Sequence, residues 1–169
     1  MSEEGALCIA CGMCCSGTIF DSINLDPTET KLMAARGGSL ADEGPTAIPF
    51  PCPMLEGTCC TIYASRPKLC RSYRCEVLNG LRADKLDHRA ALDLIETARK
   101  LEGAVLTLLP PDQTIVQARR AWQADPQFWR ALPESEREAA LRLVMALAAL
   151  NLHLDRHFRS ELKRVIRRD

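Results

Sequence analysis

The chain has 169 residues, 47% hydrophobic and 26% charged, with Lys+Arg and Asp+Glu balanced at 22 each. That length suits one domain, or one domain with a helical extension, and buries a core without the disulfides a very small secreted module needs. The balanced charge argues against a broad polyanion-binding surface, and no run approaches the ~18 apolar residues of a membrane span.

The start, Met1-Ser2-Glu3-Glu4-Gly5, is acidic and leads into no apolar signal-peptide run, so the expected location is the cytoplasm. There, clustered cysteines stay reduced, and metal binding outranks disulfide formation. All nine cysteines fall between positions 8 and 75. The first group, Cys8-x2-Cys11-x2-Cys14-Cys15, is expected to bring three or four sulfurs to one small loop, as soft metal ions and iron–sulfur clusters require. Its first three cysteines follow a bacterial ferredoxin loop, but Thr18 stands where the fourth would fall. Adjacent Cys14 and Cys15 diverge along the backbone and suit two neighbouring metal sites.

Thr18 to Leu25 is the best extended segment of the first half. Asp26-Pro27-Thr28-Glu29 carries a helix start: an Asp cap, proline at the first helical position, and Glu three residues after the cap. A short helix follows from Thr28 to Ala35, with Gly37-Gly38 as its stop. Residues 39–59, interrupted by Pro45, Pro49, Pro51 and Pro53, read as loop. Gly57 allows a tight turn before a short extended piece, Cys60-Thr61-Ile62-Tyr63. Arg66-Pro67 then opens a turn or helix presenting Cys70 to Cys75.

Composition changes near Asn79-Gly80, and the second half reads as helices. Asp84 to Leu101 has apolar residues close to helical spacing, while Val105 to Leu109 fits a strand or a helix tail. Asp125-Pro126 starts a short helix through Trp129. A long amphipathic helix is expected from about Glu134 to Val165, through Leu143, Leu147, Leu150, Leu154, Phe158 and Leu162.

The run Cys8-x2-Cys11-x2-Cys14-Cys15, Cys52-Pro53-x-Leu55, Gly57, Cys60-x-Ile62-Tyr63, Arg66-Pro67, Cys70-Arg71-x-Tyr73-x-Cys75 resembles the YkgJ-like cysteine-cluster family of zinc or iron chelators. The resemblance covers roughly residues 7–76. It implies Cys8, Cys11, Cys14, Cys15, Cys52, Cys60, Cys70 and Cys75 as metal ligands, and Cys59 falls outside it. Eight thiolates make two four-sulfur sites or one polynuclear cluster. Similar clusters occur in flagellin lysine N-methylases, which are longer enzymes. Arg66 and Arg71 are candidate hydrogen-bond donors to sulfur, and Tyr63 and Tyr73 candidate shields from water.

Two other features carry less weight. His153 and His157 share a helix face, but no third ligand accompanies them, so they read as surface or interface residues. The basic run Arg156, Arg159, Lys163, Arg164, Arg167 and Arg168 reads as a solvated helix face rather than a nucleic-acid contact.

The expected fold is mainly α with irregular, cysteine-rich loops. A metal-binding module over residues 1–80 packs on a helical region over 81–169. The expected function is zinc or iron chelation through eight thiolates, in a structural or metal-handling role. The alternative is an iron–sulfur protein that transfers electrons or assists a modification enzyme. No P-loop, dinucleotide fingerprint or Ser-His-Asp arrangement occurs, which favours a binding protein over an enzyme. Metal ions are the expected partners, with a protein partner left open.

Overall fold

The computed structural model describes residues 3–36 and 46–160, and the chain is mainly helical. The expected stop at Gly37-Gly38, the loop at 39–45, and Leu162, Lys163, Arg164, Val165, Arg167 and Arg168 lie outside the described residues. Two compact units divide the chain, Met1–Arg74 and Cys75–Asp169.

The first unit opens with helix α1, Glu3–Cys11, which places Cys8 and Cys11 on helical backbone rather than in the loop expected of them. Gly12 ends it at φ +68°, and its N–H donates to the Cys8 carbonyl at 3.0 Å. That left-handed conformation favours glycine. A side chain there would also press on the Thr58 backbone, 3.0 Å from where a Cβ would sit. The turn that follows is fixed by Cys15 and Ser16 N–H donating to the Gly12 carbonyl, both at 3.0 Å.

Strand β1, Ser22–Asn24, occupies only the second half of the expected extended segment and pairs antiparallel with β2, Ala47–Pro49, with Ile23 opposite Ile48. Between them helix α2, Pro27–Ala34, starts as its sequence dictates. Asp26 Oδ1 accepts from the Thr28 and Glu29 N–H groups, and Glu29 Oε2 accepts from the Asp26 N–H. Strands β3, Leu55–Glu56, and β4, Cys59–Cys60, form a two-residue hairpin. Its first loop position is Gly57 at φ +61°, where such a turn needs positive φ. Residues 39–59 are therefore not all loop: β2 and the hairpin fall inside, hidden among prolines that strand edges tolerate. Extended structure stops at Cys60; Tyr63–Ser65 is a 3-10 turn, and α3, Lys68–Ser72, follows Pro67. Leu25, Met33, Ile48 and Met54 form one buried cluster, with Ile23, Cys52 and Ile62 packed on it, and Leu7, Met13, Ile19 and Phe50 are buried as well.

The second unit holds α4, Glu76–Arg82; α5, His88–Leu108; α6, Ile115–Ala124; a 3-10 turn, Phe128–Ala131; and α7, Glu134–His157. Helix α4 runs through Asn79-Gly80. Helices α4 and α6 were not anticipated; Val105 to Leu108 is the tail of α5, and a 3-10 turn replaces the short helix expected from Asp125. Buried Ala91, Ile95, Ala98, Glu102 and Val105 on α5 recur at alternating steps of four and three. Leu143, Leu147, Leu150 and Leu154 do the same on α7. Seams of this spacing suit helix pairing, and α5 against α7 is the main helix contact of this unit.

Arg159 corrects the expectation of a solvated basic face. It is 2% exposed, and its Nη1 donates to Asp155 Oδ1 at 2.8 Å and Asn151 Oδ1 at 3.0 Å. Helix α7 stops at His157, and the next turn folds Arg159 back along the helix.

Candidate metal centre

None of the nine cysteines is in a disulfide. Four of those expected to bind metal come from separate segments of the first unit. Cys15 follows the Gly12 turn, Cys52 precedes the hairpin, Cys60 ends β4, and Cys70 lies in α3. The Cys52 N–H donates to the Cys15 carbonyl at 2.7 Å, and the Leu55 N–H to the Cys52 carbonyl at 3.0 Å. The far side is tied by Glu29: its Oε1 accepts from the Lys68 N–H at 2.6 Å, anchoring the start of α3 to the capping box of α2.

These four sulfurs are within electrostatic reach of one another. Burial first, and then the charges of Cys52, Cys60 and Cys70, push the Cys15 thiol from 9.0 up to about 12. Cys70 is pushed to about 11 by burial and then by Cys52 and Cys60. Cys52 is raised by burial, and by Cys60 to a lesser degree. Cys8 is raised by burial, against the lowering influence of Arg66 and Arg74. Among the described residues, no three Cys, His, Asp or Glu side chains already stand in the arrangement of a formed ion site.

The surrounding groups sort themselves by what they touch. Thr18, at the ferredoxin-like fourth position, is fully buried, with its hydroxyl 2.8 Å from that of Ser16. Tyr73 packs edge-on against Phe20, ring centroids 4.7 Å apart. Arg71 is exposed, whereas Arg66 lies over the Tyr63 ring, 3.8 Å from its centroid. Arg74 donates from Nη1 to the Arg71 and Tyr73 carbonyls and has Nε 3.5 Å from Glu4. Cys59 is exposed on β4, and Cys75 belongs to the second unit, where it precedes α4.

The histidines stand apart from the thiols in kind. His153 Nε2 is 3.1 Å from the Leu94 carbonyl, and its ring centroid is 4.9 Å from that of His157. Asp155, their nearest carboxylate in sequence, is engaged by Arg159.

The donor chemistry fits a soft ion: all-sulfur, half-buried, and within reach of arginine charge. Buried Nε atoms of Arg66 and Arg74 lack hydrogen-bond partners, and thiolates would supply acceptors. Residues 7–92 match the CxxCxxCC family, described as a "putative zinc- or iron-chelating domain". The match spans half of the chain, and the chain belongs to that family. No curated protein and no solved structure matches it. No helix among the described residues is long and apolar enough to cross a membrane.

Proposed function

We propose that this chain binds zinc or iron through cysteine thiolates, in a structural or metal-handling role in the cytoplasm. The observation that carries the reading is the gathering of Cys15, Cys52, Cys60 and Cys70 within reach of one another's charge, on a frame pinned by the Cys52–Cys15 backbone bond. Four thiolates complete the shell of a tetrahedral ion. Cys8, Cys11, Cys14 and Cys75 bring the donors to the eight of the family pattern. Residues 1–80 form the metal module in this reading and 81–169 its helical companion. Zinc and iron both accept such ligands, so softness alone does not choose between them.

The test is elemental analysis of anaerobically purified protein, with acid-labile sulfide and a visible spectrum on the same sample. About two zinc ions per chain, at four thiolates each, is the expected result. Iron with matching sulfide would assign instead an iron–sulfur protein, an electron carrier or assistant to a modifying enzyme. Protein that retains neither zinc nor iron, even after reconstitution, would overturn the reading.

A further inference from the structure

Among the polar side chains of the first unit, Arg66 combines a fixed position with an unmet need. It follows the Tyr63–Ser65 turn with φ −61° and ψ 152°, the extended conformation demanded of a residue before proline. Its guanidinium carbon lies 3.8 Å from the Tyr63 ring centroid, so a cation–π contact holds the plane of the group. The Nε atom is buried and has no hydrogen-bond partner. A buried donor without an acceptor costs about 1–3 kcal/mol, so a residue held this way calls for an acceptor that arrives later. Arg74 shares the orphaned Nε, but Glu4 already stands 3.5 Å from it. The charge of Arg66 reaches Cys15 and Cys70 of the four-sulfur set, and also Cys8. Four thiolates around a divalent ion carry a net charge of about −2, which a guanidinium would halve.

We propose that Arg66 is the positioning residue of the thiol cluster: when a divalent ion is bound, its Nε–H donates to a ligand sulfur and its charge offsets the thiolates, with Tyr63 holding it in place. Each cysteine that binds releases its proton to solvent. The inference rests on the chelation reading above and adds to it which side chain tunes the ion.

The experiment compares wild type with Arg66→Gln, Arg66→Lys and Tyr63→Leu. Zinc affinity is measured by chelator competition, and cobalt(II) serves as the spectroscopic probe. Arg66→Gln should weaken zinc about 10- to 100-fold. It should move the sulfur-to-cobalt charge-transfer band to lower energy, because a sulfur that loses a hydrogen bond holds its electrons less tightly. The cobalt d–d bands should keep their positions, since the ligands are unchanged. Arg66→Lys restores charge without the planar Nε–H and should fall between. Tyr63→Leu should shift both readouts in the same direction by less. A variant that loses the wild-type circular dichroism is set aside, and Tyr63→Leu then decides. If wild type binds zinc and the folded variants match it in affinity and band energy, the role of Arg66 is overturned and chelation stands. If wild type binds neither ion, both readings fall.

Discussion

The two units bury themselves by different means. The second pairs a helix of 21 residues with one of 24 along a leucine–alanine seam that repeats every seven residues. The first has strands of two or three residues and helices of nine or fewer, its buried apolar side chains spread over short segments. Strand pairs that short are marginal in water. A seam of leucines is self-sufficient; a frame that gathers thiols gains from an ion that ties its segments together.

The largest expected effect follows from that contrast. Structural zinc contributes on the order of 10 kcal/mol to small metal-dependent folds. Chelation under reducing conditions should therefore weaken amide-exchange protection in residues 3–36 and 46–74, without abolishing it, and leave the α5–α7 helices as protected as before. Equal loss in both units, or loss in neither, would break the comparison. Next in size is Leu147→Ala, at a position 1% exposed in the middle of the seam. A cost of about 2–5 kcal/mol is expected, read as a drop in thermal midpoint, with zinc stoichiometry unchanged. Gly12→Ala addresses the other unit. It forces a methyl-bearing residue to φ +68° and sets that methyl against the Thr58 backbone. Denaturant unfolding of the metal-loaded protein should show a loss of about 1–3 kcal/mol, and zinc should bind more weakly because the turn delivering Cys15 is distorted.

What the sequence disclosed follows the range of each interaction. The α2 start was legible because Asp26, Pro27 and Glu29 act on neighbouring backbone, and the structure forms that capping box. The buried leucines of α7 were legible from periodicity alone. Helix α6 left a readable sign that was passed over: Thr114 and Gln117 form a capping box of their own. Helix α4 is seven residues long with no side-chain cap, too short to establish a period. The cysteine spacing identified the candidate donors, but the gathering of Cys15 with Cys52, Cys60 and Cys70 depends on the hairpin, on α3 and on the Glu29 tie, none of which spacing encodes. Arg159 was misplaced for a related reason. Its burial depends on where α7 stops and on the Asp155 and Asn151 side chains that receive it.

The smallest effects are those of pH, and they carry opposite signs in the two units. Cys15 and Cys70 have folded values raised to about 12 and about 11 from 9.0, chiefly by burial. The unfolded chain therefore ionises first as pH rises. These two thiols should cost the metal-free first unit stability as pH rises from 9 toward 12. His157 is shifted the other way, lowered from 6.5 by partial burial first, then by His153 and Arg156. Here the unfolded state holds the extra proton, so stability present above 6.5 should decline as pH falls through and below that value. His157→Gln should flatten the acid limb of the α5–α7 unfolding signal and leave the alkaline limb of the cysteine unit untouched. An acid limb that survives the substitution would place the proton on another group and remove this part of the contrast.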